Sequence, residues 1–425
     1  MRAALWIMAL FAIASVSALF AGNNHGTVTL YWPPHRVDAS LNLVLMVITA
    51  FFIVLHLALR TLSALLRIPQ RARDWRLLQR ERAIYTSLLD AWFHLVSGRF
   101  VRARKAGELL VSLEEAVQRS GEQLPQAGRL RAIAHLLAAE GAHAVQDKPR
   151  RDFHFQEAFK QTSKRDAQDA REGVQMRAAR WALDDRDAGA AMQWLDQLPQ
   201  GAARRTLALR LRFKAARHAG KAQLALETAR QLTKHRAFTE AAGRSITRGL
   251  AIEMLRSAHD PVQVQTTWNT LSRDEQSLTD VALEATERLI QVGGDIALAH
   301  QWVLPVWNSM VQAVDGLTMA QQVRLVRILE AGFSATQGTP DAAWLARIES
   351  AQMGRPSDAV LQYLAGCVCM RLSLWGKARQ LIKQSLPRLL DRDLQRDAWL
   401  AMAHLAEERQ DLQGAGEAYR EAAKK

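Results

Sequence analysis

The chain has 425 residues, 49% of them apolar, so it can bury a sizeable core, and disorder throughout is excluded. Lys and Arg total 56, of which 45 are Arg, against 42 Asp and Glu, and the formal net charge is +14. Two cysteines exclude a disulfide-framed secreted domain. The low counts of Pro (11) and Gly (23) favour a mostly helical chain over a β-rich one.

Two uncharged runs near the N-terminus predict membrane-spanning helices. Residues 3–21 carry no charge over 19 positions, a helical length that nearly crosses a hydrocarbon core of about 30 Å. Residues 41–59 form a second such run, bracketed by Asp38 and Arg60. We therefore expect a membrane module over residues 1–82: a two-helix transmembrane hairpin, its short outer loop and a basic juxtamembrane helix.

Arginines set the predicted orientation of this hairpin. Seven of them follow the second run, whereas the connecting loop has only Arg36, balanced by Asp38. The positive-inside rule places both termini in the cytoplasm and the loop outside. A signal peptide cleaved near Ala21 is the alternative for the first run, and it leaves the rest of the chain anchored by the second. The seven are Arg60, Arg67, Arg71, Arg73, Arg76, Arg80 and Arg82.

The same seven arginines predict contact with anionic lipids. Each cation close to an anionic leaflet contributes on the order of 1 kcal/mol, which is enough in sum to hold a helix on the inner surface. Nucleic acid is the alternative partner for so basic a segment. It is disfavoured because the charge lies beside a membrane span and no groove-reading motif accompanies it.

The loop between the two runs is short and β-prone. Residues 27–32 alternate in polarity, and Pro33-Pro34 then forces a turn. Tyr31 and Trp32 are expected at the outer interface of the membrane. The loop is interpreted as a tight connector, with a small periplasmic contact patch as the alternative.

Residues 83–425 repeat as helices separated by short breaks that contain Gly or Asp. The breaks recur at Gly98, Asp147, Asp187, Gly220, Asp260, Gly294-Asp295, Gly376 and Asp411. The clearest copy is the last, formed by Trp399, Met402, Ala403, Ala406, Leu412, Ala415, Tyr419 and Ala422, whose spacing matches the tetratricopeptide pattern. In earlier copies, Ala225 follows Ala191 by 34 residues. The predicted fold is all-α, with the hairpin followed by a right-handed tetratricopeptide-like α-solenoid. A generic helical bundle is the alternative.

A solenoid of this type has an inner face built by the first helix of each pair. With Ala191 and Ala225 at the small-residue position of the second helix, five cations from adjacent repeats are predicted on that face. They are Arg177, Arg180, Arg210, Lys214 and Arg217. We expect a basic groove that binds an acidic or carboxylate-bearing partner segment, or an acidic small molecule. Arginines on a solvated helix face are the alternative.

Motifs for catalysis, nucleotide binding and metal binding are absent from the sequence. There is no G-x-G-x-x-G after a strand, Walker A loop, H-E-x-x-H, C-x-x-C or G-x-S-x-G. No catalytic or metal-binding residue is therefore predicted, and we expect that the chain is not an enzyme. Cys367 and Cys369 are two residues apart on a helix, so their side chains diverge and are expected to be buried as small hydrophobes.

Three histidines are weak candidates for ligand binding. His56 lies inside the second apolar run, where an ionisable side chain is a functional candidate, and it is a possible axial haem ligand. Helix packing or an interfacial position is the more ordinary role. His25 and His35 in the loop are candidates for metal or haem, with plain solvent exposure as the alternative. No cofactor is predicted beyond this possibility of haem.

The order of these features resembles the N-terminal domain of proteobacterial HemY-type proteins. The loop carries Gly26, Val28, Leu30 and Trp32, the second run is entered through Asp38, Ser40 and Leu41, and Arg60, Pro69, Ala91, Gly98, Phe100 and Ala103 follow. Residues 343–349 and 361–386 are also similar to that family. The chain departs from it at Asp38, where Glu is expected, and in its middle repeats.

The resemblance implies an inner-membrane protein with a cytoplasmic tetratricopeptide domain, associated with a late step of protohaem IX biosynthesis. The family name is shared with an unrelated flavoprotein, a protoporphyrinogen oxidase, whose dinucleotide-binding glycines this chain lacks. We therefore expect a scaffold that organises partner proteins, including late haem-biosynthesis enzymes, at the cytoplasmic face. A haem or porphyrin carrier and a general envelope-assembly adaptor are the alternatives.

Overall fold

The computed structural model describes residues 2–23, 25–122, 124–312, 316–335 and 342–425, without the side chains of residues 2–5, 7, 9, 10, 20, 21, 23, 64–74, 334 and 335. The chain forms two compact units, Met1–Gln168 and Asp169–Lys425. Apart from one β-hairpin, all regular structure in the described residues is helical. The all-α prediction is therefore confirmed.

The first unit contains the β-hairpin and five α-helices, and a 3-10 helix runs across its last residues. In chain order these are α1 (Arg2–Asn23), β1 (Thr27–Trp32), β2 (His35–Ser40), α2 (Leu41–Val96), α3 (Phe100–Arg119), α4 (Ala127–Ala144), α5 (Lys148–Gln161) and a 3-10 helix (Arg165–Ala170). The strands are antiparallel and pair from Thr27 with Ser40 to Trp32 with His35, around a turn at Pro33-Pro34. The predicted loop conformation is confirmed. Ser40 then caps α2 by accepting a hydrogen bond from the backbone N–H of Leu43.

The long helix α2 includes the second predicted span. Its segment Leu41–Ser63 has a mean hydropathy of 2.5 and is not buried, and it is the one helix among the described residues that is long and apolar enough to cross a membrane. The first predicted span coincides with α1, many of whose side chains lie outside the description. The two-span hairpin therefore remains a prediction. The predicted division after residue 82 falls inside α2, which continues to Val96.

The C-terminal part of α2 also belongs to the core of the first unit. Ile84 is fully buried and packs in a cluster with Leu110 and Val117 of α3 and Leu130 of α4. One helix is thus apolar and uncovered at its start and packed against two neighbours towards its end.

The second unit consists of consecutive helices. In chain order they are α6 (Arg171–Asp184), α7 (Ala188–Asp196), α8 (Gln200–Ala203), α9 (Thr206–His218), α10 (Ala222–Lys234), α11 (Glu240–Ser257), α12 (Pro261–Thr270), α13 (Arg273–Gln276), α14 (Thr279–Gln291), α15 (Ile296–Gln312), α16 (Met319–Ala335), α17 (Ala342–Gly354), α18 (Ala359–Arg371), α19 (Trp375–Ser385), α20 (Arg392–Glu407) and α21 (Leu412–Ala423). The first helices of the successive pairs are α6, α9, α11, α14, α16, α18 and α20. A continuous apolar core runs from Ala216 on α9 to Leu405 on α20, and a smaller cluster joins α6, α7 and α9.

Seven of the helix pairs in the described residues share one turn geometry. A residue with φ between 59° and 74° ends each first helix, and the backbone N–H of the next residue donates to the carbonyl five residues earlier. This is the Schellman arrangement, which satisfies the last carbonyls of the helix. The left-handed residues are Gly98, Gln146, Arg186, Gly220, Gly293, Ser373 and Gln410. The predicted breaks lie at these turns with two exceptions. Asp260 instead caps the start of α12, and Gly376 lies inside α19, after the turn at Ser373.

The small-residue position of the second helices is also real. It lies four residues after the N-cap residue of the second helix. There the side chain faces the first helix, and only a small group fits between the two close backbones. Its occupants are buried, with at most 4% exposure: Ala103, Ala191, Ala225, Val264, Ala299, Ala378 and Ala415. In α5 this position is taken by a large residue, Arg151, which is 8% exposed.

Candidate functional site

Charged pairs link successive first helices of the second unit. Arg217 on α9 contacts Glu253 on α11 at 2.9 Å. Arg256 on α11 contacts Glu284 on α14 at 2.7 Å, and Glu284 also accepts a hydrogen bond from Arg324 on α16 at 2.9 Å. Part of the basic surface is thus used to hold neighbouring first helices together.

The carboxylate of Glu284 is the most enclosed member of these links, with 8% exposure. Burial alone would raise the pKa of Glu284, but the hydrogen bonds from Arg256 and Arg324 outweigh burial and hold that pKa below its ordinary value. An ionised, doubly paired carboxylate at this place stabilises the register of α11, α14 and α16.

A pocket of about 530 Å³ opens where α16, α18 and α20 meet. Its lining comprises Glu330, Phe333, Tyr363, Cys367, Met370, Arg371, Ser373, Trp375, Ala401 and His404. This volume lies in the range of roughly 300–1,000 Å³ typical of ligand sites. Because three consecutive first helices supply most of the lining, the pocket lies on the face where the sequence predicts partner binding.

Glu330 is the polar centre of this pocket. The hydroxyl of Tyr363 and the thiol of Cys367, one turn apart on α18, lie beside its carboxyl group and interact with it. Burial raises the pKa of Glu330, with a further contribution from the charge of Asp397. Burial likewise raises the pKa values of Tyr363 and Cys367. The pocket therefore presents hydrogen-bonding groups that favour their neutral forms.

The rim of the pocket is aromatic and charged. The rings of Trp375 and His404 lie 6.5 Å apart. Arg327 on α16 reaches across to Asp393 at 3.4 Å and to Asp397 at 3.5 Å, both on α20. These rings offer an apolar surface to a partner side chain, and the centre and rim of the pocket offer hydrogen-bonding groups to its polar neighbours.

The five predicted groove cations lie on the first helices α6 and α9. Arg177 is half-buried and Arg180 exposed on α6, and Arg210, Lys214 and Arg217 are exposed along one side of α9. Arg210 donates to the carbonyl of Ala237 at 3.3 Å, and Arg217 pairs with Glu253 as described. These two contacts direct that side of α9 toward the next pair, so part of the predicted charge is engaged within the chain. Partner binding by the set remains a prediction.

The basic segment after the candidate span is described in part. Arg60, Arg76 and Arg82 are exposed, whereas Arg80 donates to the hydroxyl of Ser120 at 3.0 Å and lies 3.8 Å from Glu122. The side chains of Arg67, Arg71 and Arg73 lie outside the described residues. Lipid contact by this segment remains a prediction.

The remaining predicted candidates are separate from one another. His25, His35 and His56 are exposed, the last within the apolar segment of α2. Cys369 is buried, which confirms its prediction, but Cys367 is part-buried and lines the pocket. In the described parts of the chain, no group of three His, Cys, Asp or Glu side chains is placed to hold a metal ion.

A buried polar cluster in the first unit was not predicted. His135 on α4 and His154 on α5 face each other with their Nδ1 atoms 3.1 Å apart, and Nε2 of His154 lies 3.4 Å from Glu108 on α3. Glu108 accepts a hydrogen bond from Arg104 at 2.7 Å. Burial lowers the pKa of His135 to about 4, helped by His154, and burial also lowers the pKa of His154.

Residues 26–146 match the family model described as "HemY protein N-terminus". The resemblance to HemY-type proteins is confirmed over this region. The matched region begins at the β-hairpin and ends at Gln146, the left-handed residue that closes α4. No curated protein matches the chain at a significant level.

Three solved structures align with the chain at low identity. The APC/C hetero-tetramer Cut9-Hcn1 aligns at 13% identity and a TM-score of 0.28, covering 79% of this chain and 65% of that one. Naa15/Naa10 bound to HypK-THB aligns at 11% and 0.23, covering 77% and 56%. A circular tandem repeat protein aligns at 16% and 0.14, covering 82% and 72%. The chain spans less than two thirds of the first two, and TM-scores this low support no functional conclusion.

Proposed function

We propose that this chain is a membrane-anchored helical-repeat scaffold that gathers partner proteins at the cytoplasmic face of a bacterial inner membrane. The observation that carries the proposal is the continuity of α2. This helix starts as the apolar segment Leu41–Ser63 and, from Ile84, packs as the first helix of a repeat pair. One helix would therefore connect the bilayer to the repeats directly. The right-handed tetratricopeptide-like solenoid is part of the proposal.

A role near a late step of protohaem IX biosynthesis is proposed from the family match at residues 26–146. Late haem intermediates are poorly soluble and reactive. A scaffold that holds successive enzymes side by side raises their effective concentration at the membrane without any catalytic group of its own. Such a scaffold needs partner-binding surfaces rather than a cofactor site.

The proposed partner surface is the face built by the first helices of the second unit. It combines the exposed cations Arg180 and Lys214 with the pocket around Glu330. A carboxylate-bearing segment would pair with the cations, and an apolar residue of a partner would enter the pocket lined by Trp375 and His404.

The test is site-specific photocrosslinking in living cells followed by mass spectrometry. A photoreactive amino acid is placed at Lys214 or Arg180, and as a matched control at the exposed Gln231 on the second helix α10. We expect the two groove positions to capture the same proteins, including an enzyme of late haem synthesis, and Gln231 to capture none of them. Equal capture from all three positions contradicts the groove. Capture of envelope-assembly proteins alone replaces the haem role by a general adaptor.

Titration of the purified chain with haem tests the carrier alternative. A scaffold without a haem site produces no Soret shift, whereas a carrier with a histidine ligand produces one. A shift that His56→Ala abolishes would place a haem site on α2, and a carrier function would then replace the scaffold proposal.

A further inference from the structure

The outer face of α2 beyond the membrane segment carries an uncovered stripe of large side chains. All seven positions are exposed, and the six apolar ones are between 44% and 72% exposed. We call this set the heptad stripe: Trp75, Leu78, Arg82, Tyr85, Leu89, Trp92 and Val96. Ile84 and Ala91, on the side of the same helix that packs in the first unit, are fully buried.

The spacing of the heptad stripe alternates strictly between three and four residues across three heptads. An α-helix has about 3.6 residues per turn, so a seven-residue repeat drifts by about 20° per heptad on a straight helix. A strict repeat stays aligned only against another helix that winds around it in a left-handed supercoil. The stripe therefore fits a partner helix better than a flat surface.

A lipid surface is a poor match for the heptad stripe. At about 1.5 Å per residue, Trp75 lies about 18 Å and Val96 about 50 Å along the helix from Ser63, the end of the apolar segment. A helix that leaves the bilayer carries most of the stripe out of reach of the lipid. This step rests on the proposed membrane anchor.

The charges in and beside the stripe suit a second copy of the same helix. Trp75 and Leu78 define heptad positions a and d, which puts Arg82 at position a and Glu81 at the preceding position g. In a parallel, in-register pair, an a residue packs beside the g residue of its partner. Each Arg82 would then meet the carboxylate of Glu81 from the other copy. Two chains anchored in one membrane with the same orientation present their α2 helices in this parallel arrangement.

The available area is sufficient for a stable pair. Large aromatic and aliphatic side chains that are about 60% exposed each contribute on the order of 100–150 Å², so the stripe offers roughly 700–800 Å² per protomer, close to the roughly 800 Å² of a standard interface. We propose that the cytoplasmic part of α2 is a homodimerisation helix, forming a parallel left-handed coiled coil with α2 of a second copy.

Cysteine crosslinking in isolated membranes tests the pairing in the full chain, with Cys367 and Cys369 replaced by Ala. A single cysteine at position a, Leu89→Cys, should form a homodisulfide on mild oxidation at least about tenfold faster than Asp90→Cys, the exposed position next to it. Parallel register also predicts homodisulfides at both Leu78→Cys and Val96→Cys. Equal yields at 89 and 90 overturn the proposal, as does a disulfide to a different protein.

A charge exchange tests the same geometry without crosslinking. Glu81→Arg should shift the detergent-solubilised chain from dimer to monomer by light scattering, and Glu81→Arg with Arg82→Glu should restore the dimer. Circular dichroism verifies that the variants fold. A monomeric mass for the unaltered chain at about 10 μM, well above the dissociation constant of a standard interface, overturns the dimer. Carbonate extraction of the same membranes tests the membrane anchor separately, because a disulfide at Leu89→Cys requires only the dimer.

Discussion

The backbones of α3 and α4 approach so closely that a Cβ added to Gly141 would lie 2.8 Å from the carbonyl oxygen of Phe100. It would also lie 3.0 Å from the backbone nitrogen of Arg104. Backbone atoms of a packed helix cannot turn aside as a side chain can. Gly141→Ala should therefore push α4 away from α3 and destabilise the first unit by about 1–3 kcal/mol. Hydrogen exchange of the α3 and α4 amides measures this loss.

Gly249→Ala is the matched control for that substitution. Gly249 also lies inside a helix, α11, but an added Cβ there meets nothing within 4 Å. The higher helix propensity of Ala should stabilise α11 by up to about 1 kcal/mol. Equal effects of the two substitutions would show that the close approach at Phe100 is not the cause.

The buried pair His135 and His154 makes the first unit sensitive to acid. The folded-state pKa of His135, about 4, lies below the ordinary value of 6.5 because burial disfavours the charged ring. Between these pH values the unfolded chain binds more protons, so stability that is present above pH 6.5 is lost as the pH falls toward 4. We expect a loss of about 2 kcal/mol, after allowance for partial solvent access.

Hydrogen exchange of the α4 and α5 amides at pH 7.5 and 5.0, corrected for intrinsic rates, measures this dependence. His135→Gln retains an N–H that can donate to His154 but has no proton to gain, so it should flatten the pH dependence. His218→Gln changes an exposed histidine on α9 and should leave it unaltered. An unchanged slope in His135→Gln contradicts the assignment.

The contribution of Glu330 to stability should change with pH in the opposite direction. Its folded-state pKa is raised because burial favours the neutral acid. Stability is therefore full below the ordinary pKa of a glutamic acid and is lost as the pH rises through the raised value. Glu330→Gln removes this penalty and should stabilise the chain at pH 7.5 by about 1 kcal/mol, with a smaller gain at pH 5.

Denaturant unfolding followed by tryptophan fluorescence measures the difference. Glu408→Gln, at an exposed carboxylate near the end of α20, is the control and should have little effect at either pH. A Glu330→Gln variant that is less stable than the parent at both pH values would show that the carboxylate is ionised and paired.

The sequence predicted best what depends on local spacing. The regular recurrence of Gly and Asp predicted where the turns lie. Ala191, Ala225 and Ala415 were predicted correctly at the buried small-residue position, because helix periodicity alone decides which side of α7, α10 or α21 they occupy. Gly376 was misassigned because a serine, Ser373, takes the left-handed conformation that glycine ordinarily favours.

Contacts between separate helices could not be predicted from local spacing. Glu330 precedes Tyr363 by 33 residues, nearly one repeat, and this was the only hint that they share a pocket. His135 and His154 carry no motif. Their meeting depends on how α5 packs on α4, where Arg151 replaces the usual small residue. The exposure of one side of α2 could not be predicted either, because the same heptad pattern of apolar residues also suits a helix that is buried on both faces.

The number of membrane spans can be decided by labelling single cysteines in a chain with Cys367 and Cys369 replaced by Ala. If Leu41–Ser63 crosses the membrane with its arginine-rich end inside, Thr29→Cys in the hairpin should react with an impermeant maleimide in intact cells. Glu115→Cys, exposed on α3, should react only after lysis. Labelling of both in intact cells contradicts the orientation.

A tag on the N-terminus completes the test, since two spans require it to be present and protected, and a cleaved signal peptide requires it to be lost. A tag that is retained but reactive from outside would leave α2 as the sole span.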